Sequence, residues 1–227
     1  IDAGNQLGRH LASVYTTGDQ GISRIAVEPD GDFVIVWTSN GQDGSGRGVF
    51  GRRFAADTSP RGAEFRVNTY TTGNQFADGV SVGANGDFVV VWTSYQDGNG
   101  ASVHGQRYDG AGSPLGGEFQ LNSYTFSHQS QAEIARAADG RFVVSWMSYL
   151  QDGSVQGVAA RRFDAAGNPL GSDFIVNSFT LADQLHSAIA SDANGNFIVA
   201  WRDQAQRDGS SWGIFAQAFD AGGNRLG

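Results

Sequence analysis

The sequence predicts an all-β chain folded as a β-propeller of four blades, each made of four antiparallel strands, and three observations point there. Tryptophans at 37, 92, 146 and 201 recur with spacings of 55, 54 and 55, and a fixed period of that length marks a ring of blades or a solenoid. Each tryptophan ends an apolar run rich in Val and Ile, of which Phe33-Val34-Ile35-Val36-Trp37 is the first. Such a run suits a strand buried on both faces, with Phe33, Ile35 and Trp37 on one side and Val34 and Val36 on the other. Between the runs, turn residues recur at about 10-residue spacing without helical periodicity, the pattern of antiparallel meanders.

The second copy gives one unit in order. Residues 79–82 are small and β-branched and make a first strand, closed by the turn Ala84-Asn85-Gly86. The central strand covers 87–93. The loop Gln96-Asp97-Gly98-Asn99-Gly100 leads to a third strand at 102–108, and Asp109-Gly110-Ala111-Gly112-Ser113-Pro114 turns the chain back into a fourth at 118–122. Asp, Gly and Pro serve as turn residues because they bond their own backbone, reach positive φ, or fix φ. Repeats run at about 20–74, 75–128, 129–183 and 184–227 within a single domain. The fourth copy stops before its last strand, so residues 9–14 are expected to supply it beside residues 213–219 and close the ring. Closure leaves no bare sheet edge.

The turn is present twice, at Ile1-Asp2-Ala3-Gly4-Asn5-Gln6-Leu7-Gly8 and again at Phe219-Asp220-Ala221-Gly222-Gly223-Asn224-Arg225-Leu226-Gly227. Either one end frays, or the chain belongs to a longer array, or chains associate through this duplicated turn. The absence of an initiator Met reads as a processed form or a piece of something longer.

Composition narrows the partners. The net charge is −8, all fifteen basic residues are Arg and none are clustered, which disfavours nucleic acid. No apolar run is long enough for membrane insertion. With no cysteine, disulfides, thiolate metal sites and thiol nucleophiles are excluded. An acidic, glycine-rich, cysteine-free repeat chain reads as a secreted or cell-surface bacterial protein.

Phe88-Val89-Val90-Val91-Trp92-Thr93-Ser94, Gln96-Asp97-Gly98, Gln106-Arg107-Tyr108-Asp109 and Gly112-Ser113-Pro114-Leu115-Gly116, with their counterparts, resemble the tandem repeats of very large secreted bacterial surface proteins. Such repeats often accompany calcium-binding or adhesion modules. The resemblance spans nearly the whole chain and implies an adhesive setting, but it transfers no site residues. The blade topology is also similar to that of propeller lectins and, in blade number, to hemopexin-like domains.

Chemistry is expected on the rim where the blade-to-blade linkers and the loops after each central strand emerge. The linkers carry Tyr15, Tyr70, Tyr124 and Phe179, followed by Gln20, Gln75, Gln129 and Gln184, each 17 residues before its tryptophan. The glutamines either satisfy backbone groups between blades or line repeated sugar pockets. Asp43, Asp97, Asp152 and Asp208 each precede a glycine. They either cap turns or lend a carboxylate to calcium, whose six to eight oxygens would have to be shared between loops. Tyr95, Phe126, Tyr149 and Trp212 fall in loops outside the core pattern and are candidates for exposed contacts. The central tryptophans are core, and their indole N–H groups need acceptors.

His10, His104, His128 and His186 occupy unrelated places in the repeat, and Glu28, Glu64, Glu118 and Glu133 form no recognisable arrangement. The chain is therefore expected to be a non-enzymatic, lectin-like module that binds carbohydrate or another cell-surface ligand. The alternatives are an adhesive repeat without a small ligand, or a channel ligand such as a metal, haem or polyamine.

Overall fold

The computed structural model describes residues 11–204, 209 and 211–227. Among these there is no helix, and sixteen strands form four antiparallel sheets. The first blade holds β1 (Gln20–Val27), β2 (Phe33–Asn40), β3 (Arg47–Phe54) and β4 (Phe65–Arg66). The second holds β5 (Gln75–Val82), β6 (Phe88–Ser94), β7 (Ser102–Tyr108) and β8 (Phe119–Gln120). The third holds β9 (Gln129–Arg136), β10 (Phe142–Tyr149), β11 (Gln156–Phe163) and β12 (Phe174–Ile175). The fourth holds β13 (Gln184–Ser191), β14 (Phe197–Asp203), β15 (Gly213–Phe219) and β16 (Arg225–Leu226). Strands follow chain order across every sheet. β1, β5, β9 and β13 contact one another in succession, so the first strands line the axis.

The alternation in the central strands divides each blade into two apolar faces. The Val34–Val36 face of the first blade packs with Phe88, Val90 and Trp92 of the second. Val89 and Val91 of the second meet Phe142, Val144 and Trp146 of the third, and Val143 of the third meets Phe197, Val199 and Trp201 of the fourth. Three seams thus carry the core. Polar stitches reinforce them: Arg53, Arg107 and Arg162 each donate to a carbonyl in the hairpin turn of the next blade, at Gly110, Ala166 and Ala221.

Two expectations require correction. Residues 11–14 form no strand, Arg9 and His10 lie outside the described residues, and the outermost place in the fourth sheet belongs to β16. The cause is local. Asp220 Oδ1 accepts from Asn224 N–H at 2.8 Å, and this short turn returns Arg225 and Leu226 directly onto Phe219 and Ala218. In that register Arg225 occupies the place taken by Pro60, Pro114 and Pro169 in the other blades. The indole N–H groups of Trp37, Trp92, Trp146 and Trp201, expected to find acceptors, are buried without a protein partner.

Candidate functional site

Gln75, Gln129 and Gln184 are fully buried and tie each linker to its blades. Asn68 Oδ1 accepts the Val49 N–H at 2.7 Å, while Asn68 Nδ2 donates to Gln75 Oε1 at 3.1 Å and to the Tyr70 carbonyl at 2.8 Å. Gln75 Nε2 then reaches the Thr72 carbonyl at 3.1 Å. Asn122 with Gln129 and Asn177 with Gln184 repeat the arrangement. The first linker differs because Ser13 stands where the others have Asn, and Gln20 Nε2 reaches only the Thr17 and Gly18 carbonyls.

In the loops, Asp43, Asp97 and Asp152 each accept a backbone N–H two residues ahead, from Ser45, Asn99 and Ser154. Their second oxygens face Asn68 at 3.4 Å, Gln120 at 3.5 Å and Asn177 at 2.8 Å. Asp208 lies outside the described residues. Among the described residues, the one acidic cluster within metal-binding reach is Glu28, Asp30 and Asp32 on the opposite rim, where Arg61 already pairs with Asp32.

The aromatic candidates separate. Tyr70 and Tyr124 are half-buried in their linkers, and Trp212 lies beneath the Arg202 guanidinium, 3.7 Å from the ring centroid. Phe126 is exposed. Tyr95 and Tyr149 come together across the seam between the second and third blades, with His128 between them. The His128 ring is 6.3 Å from Tyr95 and 5.8 Å from Tyr149, edge-on to both. Because His128 Nδ1 accepts the Ala101 N–H at 3.0 Å, its Nε2 carries the proton and faces outward as a donor. The histidine had no place in the repeat pattern and could not be singled out from sequence.

Two residues before Tyr95, Thr93 joins a polar cluster that reaches the axial strands. Asp78 on β5 is buried, and Thr93 Oγ1 donates to its Oδ2 at 2.5 Å. The Gln131 N–H donates to the same Thr93 oxygen at 3.2 Å, and Arg24 Nε donates to the Asp78 carbonyl at 2.6 Å. Glu133 on β9 adds its negative charge. Burial, and secondarily Glu133, push the Asp78 carboxyl up to about 7 against the pull of Thr93, the Ala132 N–H and Arg24. Burial also raises Glu133.

A repeated β-bulge shapes these axial strands. The ladder slips once in each first strand, and Ile22, Gln131 and His186 at the slip have positive φ of 50°, 59° and 51°. Non-glycine residues held there store strain, which gathers at functional sites. Asp78 stands where the other repeats have Ser23, Ala132 and Ser187. The sequence signal was this break in the repeat, an acid at a position of small residues.

No protein-family model matches the chain, and no curated protein matches it. Solved structures do. A protein of unknown function from Dyadobacter fermentans aligns with a TM-score of 0.65 and 13 % identity over 94 % of this chain and 64 % of that one. The chain thus spans just under two thirds of that protein's length. A levansucrase of B. megaterium aligns with a TM-score of 0.54 and 7 % identity over 92 % and 69 %. An endo-arabinase from Bacteroides thetaiotaomicron aligns with a TM-score of 0.50 and 13 % identity over 88 % and 75 %. The fold is propeller-like. The comparisons bring no match to tandem adhesin repeats. The non-enzymatic expectation is corrected, because this fold is shared with carbohydrate-active enzymes. Among the described residues no helix is long and apolar enough to cross a membrane.

Proposed function

We propose that this chain is a secreted or cell-surface carbohydrate-recognising propeller that engages sugar at the channel mouth between its second and third blades. One observation carries the reading: an aromatic trio, with Tyr95 and His128 exposed and Tyr149 half-buried, stands next in the chain to a polar cluster that reaches the axial strands. The Thr93–Gln131 hydrogen bond joins the two, since Tyr95 follows Thr93 by two residues and His128 precedes Gln131 by three. Tyr95 and Tyr149 offer ring faces for the apolar side of a pyranose, His128 Nε2 donates to a hydroxyl, and Glu133 and Arg24 supply an acceptor and a donor from the channel. The buried glutamines hold the linkers that present these groups. The shared fold of carbohydrate-active propellers is consistent with this reading.

A polysaccharide array probed with the purified chain tests it. Tyr95→Ala and Tyr149→Ala are each expected to weaken binding about tenfold, the worth of one stacked ring; Tyr95 is exposed and Tyr149 half-buried, and circular dichroism checks that both variants fold. Binding that survives both substitutions together would remove the site from this seam. Running the array with calcium and then with a chelator tests whether the loops of Asp43, Asp97 and Asp152 contribute a cation.

A further inference from the structure

Four blades offer four pairs of matching faces, and three are joined in the described structure. The remaining pair stays apart, with its two halves on the first and fourth blades. Equivalent positions show how completely these faces are built for contact. Val49, Val103 and Val158 are 0 % exposed, whereas Ile214 in the same place on the fourth blade is 77 % exposed. Val34, Val89 and Val143 are 2–4 % exposed, whereas Ile198 is 47 % exposed. On the first blade, Ile25 and Val27 are each 59 % exposed beside Phe33 and Ile35, which are half-buried although their counterparts Phe88 and Val90 are 1 % and 0 % exposed. A cavity of ≈ 200 Å³ lies on this face, bounded by Leu11, Ser13, Ile35 and Trp37. Side chains of the preceding blade cover the corresponding surface at every joined seam.

We propose that these two bare halves form one interface divided between molecules, the fourth blade of one chain docking head-to-tail on the first blade of a second copy. The occupant follows from the joined seams. Each of those unites a Val/Ile face with a Phe-x-Val-x-Trp face, and the described residues leave one face of each kind uncovered. The main chain has a matching pair as well. Val67, Leu121 and Val176 donate their N–H to the carbonyls of Val49, Val103 and Val158, each at 2.8 Å, and the corresponding groups are Ala12 N–H on one copy and the Ile214 carbonyl on the other. Two stitches of the inner seams are missing here. Ala218 replaces the arginine of the other blades, and Ser13 replaces the linker asparagine. The association is therefore weaker than an inner seam and reversible. Because the contact is heterologous, it either closes a ring of chains or extends a row of them.

Sedimentation velocity of the full chain over a wide range of concentration tests this. The expected result is a mass that rises with concentration to two chains or more. Ile214→Asp, which spoils only the fourth-blade face, and Ile25→Asp, which spoils only the first-blade face, should each remain single chains. Both positions are exposed, so folding is preserved, and circular dichroism checks that it is. Mixing the two variants should restore a one-to-one pair and nothing larger, since one keeps a good fourth blade and the other a good first blade. Single chains at every concentration, or association that both variants retain, would overturn the proposal. A mixture that fails to pair would also exclude the head-to-tail geometry.

Discussion

Gln129→Leu is expected to lower the stability of the fold by about 1–3 kcal/mol, because it removes both hydrogen bonds of a fully buried amide and leaves Asn122 Nδ2 with the Tyr124 carbonyl alone. Leucine fills nearly the same space, so little of the loss comes from a cavity. It comes from Asn122 Nδ2, which loses the Gln129 oxygen at 3.2 Å, and from the Phe126 carbonyl, which loses the Gln129 amide at 2.9 Å. The loss spreads, since the same asparagine holds the Val103 N–H at 2.8 Å. Gln20→Leu is the control. Gln20 is only half-buried, has no asparagine partner and should cost less than about 1 kcal/mol. Urea titration of both variants decides the matter. Equal midpoints would contradict a structural tie, and a stable Gln129→Leu protein that no longer bound sugar would transfer the amide from the fold to the ligand.

The second large effect is a reversal of the usual acid sensitivity, centred on Asp78. Its carboxyl titrates near 3.8 in the unfolded chain and near 7 in the fold. Below pH 3.8 both states hold the proton, and the stabilising contribution of the protonated side chain is fully present. As the pH rises from there through about 7, the unfolded chain releases its proton while the fold retains it, so stability is lost. At 1.36 kcal/mol per unit the loss approaches about 4 kcal/mol at pH 8. Of the charged groups facing Asp78, Arg24 pulls its carboxyl down and Glu133 pushes it up, and Glu133, itself raised by burial, adds to the loss in the same direction. Asp78→Asn keeps an acceptor for Thr93 and for the Ala132 N–H without the charge. Urea midpoints at pH 5 and pH 8 should therefore fall sharply for the native chain and little for the variant. Parallel profiles would mean that Asp78 remains ionised inside the channel.

The parts of this molecule that could be read from sequence are those written once per repeat. Trp37 and its counterparts, the Val34 and Phe33 faces and the Asp109-type turns carry their structure in local alternation and turn chemistry, so the central and third strands emerged nearly residue for residue. The first strands were read four residues short, because Gln75 and Phe76 enter the ladder before the bulge that masks the alternation. Groups that matter at the channel mouth break the repeat or arise between copies. Asp78 has no acidic counterpart, and Tyr95, His128 and Tyr149 come from a loop, a linker and a strand end that only the seam brings together. The closing strand expected at residues 9–14 is not formed by residues 11–14, and β16 does not take its place: it lies on Phe219 and Ala218, where Pro60, Pro114 and Pro169 lie in blades that also carry a fourth strand.

The joining of blades only to their immediate neighbours has a consequence for how damage spreads. Such an array behaves as a row of coupled units, whose total stability is a sum of unit and nearest-neighbour contributions. The first and fourth blades are each anchored by one seam and the second and third by two. Thermal fraying or proteolytic nicking therefore proceeds inward from the flanks. The seam between the second and third blades, where the aromatic trio stands, is the last to open, so the groups of the proposed site stay together after the loss of either outer unit.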